Sequence, residues 1–125
     1  MLAKKYRLKK DREFKKIYRL GRKIKEDFFV IRYLENNLPY SRFGFVIAKT
    51  VIKKATKRNL LKRKISEIIR LNQKKIITGR DIVVLIQYQP PDQKSQELAE
   101  KLLRLLKREQ KFFLSYIFLI IARHL

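Results

Sequence analysis

The chain has 125 residues, 46% of them hydrophobic, and its 33 Lys and Arg against 11 Asp and Glu leave a formal charge of +22 at pH 7. That length suits one domain with a single core, the apolar content excludes a wholly disordered basic tail, and the surplus charge points to a polyanionic partner, nucleic acid first and an anionic membrane surface second. The absence of Cys excludes disulfides and thiolate metal sites and fits a reducing cytoplasm.

Residues 1–10 (MLAKKYRLKK) hold five Lys or Arg and read as a mobile basic arm, without the apolar run of a signal peptide. Asp11 is placed to cap a short helix through Leu20, with Gly21 as its stop. On that helix Phe14, Ile17 and Tyr18 share a face. Ile17 reads as core, whereas Phe14 and Tyr18 have two readings, core or stacking platforms for bases. The run 27–34 (DFFVIRYL) is rich in aromatic and β-branched residues and predicts a strand. Asn36, Asn37 and Pro39 break it before a second strand over 42–49 (RFGFVIAK), in which Gly44 marks a bulge or a close backbone approach.

Residues 53–70 (KKATKRNLLKRKISEIIR) predict an amphipathic helix of unusual charge. Seven of the twelve residues from Lys53 to Lys64 are Lys or Arg, and none is acidic. At about 100° per residue, Leu61, Ile65, Ile68 and Ile69 gather on one side as a buried stripe. Arg58, Asn59, Lys62 and Arg63 take a neighbouring arc of roughly 140°, which Ser66 and Arg70 continue. A solvated face usually mixes signs, with Glu placed four residues before Lys. Here the nearest acids in sequence are Glu35 and Glu67, so the patch suits a polyanion.

A polar segment to Gly79 and Arg80 leads into DIVVLIQY (81–88), which predicts a strand ended by Pro90 and Pro91. Asp92 or Ser95 can cap a following helix, on which Leu98, Leu102, Leu105 and Leu106 repeat at helical spacing and read as core. Residues 111–125 form an apolar extension, and within 112–122 the one polar side chain is Ser115. That stretch is too short to span a bilayer. It extends the last helix onto the sheet or, as the minor alternative, lies on a membrane or a partner. The elements together predict an α+β fold over 1–125, with helices packed on a small mixed four-stranded sheet in α-β-β-β-α-β-α order.

The residues argue against a catalyst acting alone. His124 is the single histidine, no Ser stands in a GxSxG context, and three glycines make no Gly-rich phosphate loop. Glu26 and Asp27 are the one adjacent acidic pair, and neighbours on a strand point to opposite faces. No catalytic residue and no metal site is assigned to the protein itself.

The stretch ATKRNLLKRKISE resembles the signature of the bacterial ribonuclease P protein component, in which Arg-Asn is followed after two residues by Lys-Arg. Arg58, Asn59, Lys62 and Arg63 match that spacing. RLKKDREFKKIYRLG is similar to the family's first helix, with Phe14 and Tyr18 at its aromatic positions; SRFGFVIAK and GRDIVVLIQYQP resemble the strands before and after the signature. The likeness covers about residues 6–108. The family usually has Arg where Leu60 stands, often a basic residue where Ser66 stands, and often an aromatic where Arg32 stands beside Tyr33. Residues after about Gln110 lie outside the resemblance.

The resemblance implies the protein subunit of a ribonucleoprotein endonuclease that removes the 5′ leader of precursor tRNA. The partner RNA would carry the active site and its magnesium ions, and the protein alone would be inactive. Lys53, Lys54, Arg58, Asn59, Lys62 and Arg63 would bind RNA, and Phe14, Tyr18, Val30 and Arg32 would line a cleft for the leader. The partners would be the catalytic RNA and precursor tRNA, not DNA, in the cytoplasm. The resemblance also implies a left-handed crossover at the basic helix, against the general right-handed rule. The rival reading is a non-catalytic RNA-binding or ribosome-associated module, which shares the charge and fold without needing the ordered match around Arg58 and Asn59.

Overall fold

The computed structural model describes residues 2–91, 96–106 and 121. Its elements are α1 (Asp11–Leu20), β1 (Arg22–Glu26), β2 (Phe29–Glu35), β3 (Arg42–Ile47), α2 (Ala55–Leu71) and β4 (Arg80–Ile86), followed by α3 over 96–106. The strands form one mixed sheet in the order β1-β2-β4-β3. β2 runs antiparallel to both β1 and β4, and β4 runs parallel to β3. This is the expected α+β arrangement, and α2 is the crossover between the two parallel strands.

Both sheet faces are covered, which is why β4 reads as an unbroken apolar run rather than an alternating one. On one face Ile31, Tyr33, Phe43, Ile82, Val84 and Ile86 pack with Ile65, Ile68 and Ile69 of α2 and Leu98, Leu102, Leu105 and Leu106 of α3. The leucine stripe of α3 is core, as its spacing predicts. On the other face Ile17 of α1 packs with Leu8 and Val83, and Phe14, Leu34, Val46 and Leu85 surround them half-buried.

Several expectations change on folding. β1 (RKIKE) is the fourth strand that the expected order contains and that no predicted segment supplies, because its single apolar residue, Ile24, leaves no hydrophobic run to read. The predicted strand 27–34 starts two residues late, at Phe29, because Asp27 takes a left-handed φ of 55° and turns the chain between β1 and β2. The strand expected over 42–49 stops at Ile47, where the chain turns toward α2. Asp11 is not the cap of α1: the capping position is Lys10, without a side-chain bond, and Asp11 lies in the first turn, where its charge suits the helix dipole. Ser66 is not on the outward basic arc; it is 3% exposed.

The first ten residues are not a free arm. Leu2 and Leu8 are buried, Lys4–Tyr6 forms a 3₁₀ turn, and Arg7 pairs in parallel with Phe43 on β3. Apolar side chains at both ends of the segment outweigh its charge. The caps expected at Asp92 or Ser95, and the apolar extension apart from Ile121, lie outside the described residues.

The β1–β2 turn is tied to the end of the chain's sheet. Asp27 accepts hydrogen bonds from the Tyr88 hydroxyl and from Lys101 Nζ on α3, each at 2.6 Å, and its carbonyl accepts one from Gln87 at 2.8 Å. The Lys101 and then the Tyr88 hydrogen bond hold the Asp27 carboxyl below its ordinary range. On α2, Arg70 holds Glu67 down to about 2. Both folded-state values lie below the unfolded ones, so both carboxylates stabilise the fold above the unfolded range. The Glu67 contribution fades as pH falls from about 4.5 toward about 2, and the Asp27 contribution fades as pH falls below the ordinary carboxylate range. The denaturation midpoint is therefore expected to drop over that window, and urea melts of an Asp27→Asn, Glu67→Gln double variant should show a shallower drop than the parent chain.

Candidate nucleic-acid interface

The residues singled out from sequence fall on two surfaces, one on each side of the sheet. The first is built by α1 lying across the sheet. A Cβ on Gly44 would stand 2.6 Å from Cε1 and Cζ of Phe14, so glycine at this position is what lets the ring settle onto β3. What comes close at Gly44 is the Phe14 ring, not the second backbone expected there, and it leaves Phe14 half-buried against Val83 and its neighbours. At the C-terminal end of α1 a Cβ on Gly21 would come within 2.5 Å of the Ile17 carbonyl and 2.6 Å of the Tyr33 carbonyl. Gly21 therefore ends the helix by permitting close packing, not by a left-handed turn: its φ is −78°.

Charge fixes the other end of α1. Arg42 on β3 donates to both carboxylate oxygens of Asp81 on β4, from Nε at 2.8 Å and from Nη2 at 2.7 Å. Its Nη1 reaches Glu13 on α1 at 3.1 Å. That last contact is an ion pair rather than a well-directed hydrogen bond, since Glu13 Oε2 is buried without one. Asp81 and Glu13 together hold the Arg42 guanidinium above its ordinary pKa, with the Asp81 hydrogen bonds the larger cause.

Tyr18 is 38% exposed, and the Arg32 guanidinium lies 5.1 Å from its ring centroid, a cation–π distance. Arg32 Nη1 also donates to the Tyr18 carbonyl at 3.4 Å. Burial raises the Tyr18 phenol and Arg32 partly opposes it, so the hydroxyl remains a donor at neutral pH. Strand pairing sets the rest of this face. Lys23, Arg32, Val83 and Gly44 form one row across the sheet, and Lys25, Val30, Leu85 and Val46 form the next. The structure thus brings Phe14, Tyr18 and Arg32 together over a strip of sheet; Val30 is 7% exposed and serves as its floor.

Val46, Leu85, Lys23 and Lys25 complete this face and were not singled out in the sequence. The lysines had a faint signal: in RKIKE they alternate with Ile24, which turns into the opposite core. Reading that alternation as a strand would have placed both lysines on the α1 side.

The second surface is the N-terminal half of α2, together with the segment that leads into it from β3. The first turn of α2 has no acid and no side-chain cap, so the positive end of the helix dipole and Lys53, Lys54 and Lys57 add in one direction. Asn59 and Arg63 are exposed and Lys62 is half-buried. Among the described residues none of the three makes a side-chain hydrogen bond or ion pair. Arg58 differs: its Nη1 donates to the carbonyls of Ile52 and Lys53, each at 2.8 Å. It staples the entry segment to the helix with one nitrogen, and among the described residues its Nη2 and Nε have no partner and can meet an anion. Glu67 is occupied by Arg70 one turn on, which leaves the patch near Arg63 unneutralised. Among the described residues no group of His, Asp or Glu is arranged to hold a metal ion.

A family model for ribonuclease P matches residues 2–110. The ribonuclease P protein component of Thermotoga maritima is 41% identical over 110 residues, spanning 82% of this chain and 90% of that one. That of Pelotomaculum thermopropionicum is 34% identical over 103 residues, spanning 82% and 91%. Among solved structures, a ribonuclease P protein from Thermotoga maritima superposes with a TM-score of 0.73 at 37% identity, covering 82% of this chain and 96% of that one. One from Staphylococcus aureus gives 0.75 at 28% identity, covering 83% and 94%.

Arg58→Ala removes two hydrogen bonds to backbone and is expected to cost on the order of 1–3 kcal/mol, seen as a melting temperature a few degrees lower. Arg58 is thus half-buried and in part structural, unlike Asn59 and Arg63, the exposed members of the arc expected to meet a polyanion. Arg63→Ala should melt with the parent chain, because among the described residues its side chain holds nothing in place. Gly44→Ala should cost about 1–3 kcal/mol by overpacking and displace the Phe14 ring, which the Phe14 proton shifts would report.

Proposed function

The chain belongs to the family of bacterial ribonuclease P protein components, and on that premise we propose that it assists an RNA catalyst in cutting the 5′ leader from precursor tRNA. In this reading α2 and its entry segment bind the catalytic RNA, and the α1 face holds the leader. The observation that carries it is the pairing, on one rigid sheet, of an acid-free basic helix end with a separate aromatic strip rimmed by Lys23, Lys25 and Arg32.

The chemistry of the residues suits each role. Arg63 can meet two phosphate oxygens with a planar fork, Lys62 supplies a point charge, and Asn59 can both donate and accept. Phe14 and Tyr18 offer ring faces to bases whatever their sequence, worth ~1–3 kcal/mol per stacked base. A subunit that handles many leaders needs that tolerance. Magnesium belongs, in this reading, to the RNA. The protein's cations replace counterions at RNA phosphates and so lower the magnesium needed. Work on tRNA precursors would place the protein in the cytoplasm.

The test is cleavage of a 5′-labelled precursor tRNA at low magnesium by a bacterial ribonuclease P RNA, with and without this protein. Stimulated cutting at the mature 5′ end, and none from protein alone, is the expected result. Absence of stimulation with a correctly folded cognate RNA would favour a general RNA-binding or ribosome-associated module. Within an active complex, Phe14→Ala should weaken binding of precursor roughly tenfold and leave mature tRNA unaffected. Equal losses for both would assign Phe14 to the core alone.

A further inference from the structure

The N-terminal residues take a path that neither their charge nor the functional reading explains. Leu2 is 2% exposed and belongs to the core on the α2 side of the sheet. Its backbone N–H donates to the buried hydroxyl of Ser66, in the middle of α2, at 3.2 Å. The chain then passes through the Lys4–Tyr6 turn, where Tyr6 meets Tyr40 edge-to-face at 5.5 Å and Lys5 lies 4.9 Å and 5.2 Å from the two ring centroids. Arg7 pairs with Phe43 along the outer edge of β3, and the Leu8 N–H donates to the Phe43 carbonyl at 2.8 Å. Leu8 finishes in the core on the α1 side, against Ile17 and Val83. Seven residues thus start under α2, round the free edge of the sheet and end under α1.

We propose that residues 2–8 are a strap that holds α1 and α2 in register across the sheet, with Ser66 as the positioning residue that anchors it. The inference rests on the two-surface reading above and adds a coupling between the surfaces. Catalytic RNA on α2 and a leader on α1 belong to one assembly, so the protein must present both surfaces at a set spacing. The two helices pack on opposite faces and, among the described residues, share no core cluster. The strap is fastened to the core of each.

Ser66 is suited to the anchor. Its hydroxyl is small enough to be buried at 3% exposure, and it gives the Leu2 N–H the partner that a buried donor requires. Removing the hydroxyl leaves that donor unpaired and loosens the end of the strap on α2, while the side chains that would touch RNA on either surface stay in place.

Three affinities test this for the parent chain, Ser66→Ala and Ser66→Thr: free protein for the catalytic RNA, free protein for a single-stranded leader oligonucleotide, and holoenzyme for precursor over mature tRNA. In Ser66→Ala the first two should stay within about twofold of the parent, and the precursor preference should fall about fivefold, the equivalent of one net hydrogen bond. Ser66→Thr, which keeps the hydroxyl, should retain the preference. Leu2→Pro removes the donor together with the buried leucine side chain and should lower the preference at least as far, with both single-surface affinities again within about twofold, which keeps the test open if Ser66→Ala folds poorly. An unchanged preference in both Ser66→Ala and Leu2→Pro would overturn the strap, as would an equal fall in either single-surface affinity. A parent holoenzyme with no precursor preference at all would instead overturn the functional reading beneath it.

Discussion

Parallel strands cannot be joined by a tight turn, and the parallel pairing of β3 with β4 sets most of this molecule. The chain between them must cross one face of the sheet, so α2 is committed to that face and its apolar stripe has a core to enter. The other face is left to α1. β3 becomes an edge strand, with unpaired backbone groups that need covering, and the segment around Arg7 supplies the cover. The crossover also delivers Lys53 and Lys54 to the start of α2, where the helix dipole already favours anions.

The two surfaces are held rigid by different means. On the α1 side the fit is steric at Gly44 and Gly21 and ionic at Arg42, whose guanidinium joins α1 to β4 through Glu13 and Asp81. On this side Arg42 is a charge with a structural role, and its carboxylate partners lie away from the basic helix. On the α2 side the helix is fastened by Ile65, Ile68 and Ile69 and by the Arg58 staple, while Asn59, Lys62 and Arg63 are left without intramolecular partners among the described residues.

This partition also bears on two of the three positions at which the chain departs from the pattern of the resemblance, Arg32 and Ser66. Arg32, where an aromatic is common, still lies against an aromatic ring, that of Tyr18, and extends a positive strip with Lys23 and Lys25. Ser66, where a basic residue is common, is buried under Leu2, a position at which a charge without a partner would be costly. Leu60 is 53% exposed, and nothing among the described contacts explains it.

By itself the sequence determined the parts whose signal is periodic and local. The stripe Leu61, Ile65, Ile68 and Ile69, the leucines of α3, the central strand β4 and the stop at Gly21 follow from spacing and from residue type, because a buried face must be apolar whatever it packs against. The acid-free run from Lys53 to Lys64 marked one surface for the same reason: charge composition needs no coordinates. Tertiary structure alone decided what depends on residues far apart in the chain. β1 is a strand because β2 lies beside it; the basic arm is ordered because Ser66 and Phe43 receive it. Arg58 is a staple because the Ile52 carbonyl comes within its reach. Lys23 and Lys25 join the α1 face only through the register of β1 on β2. Hydrophobic periodicity records which side of an element is buried, and it is silent about which distant backbone groups a polar side chain will meet.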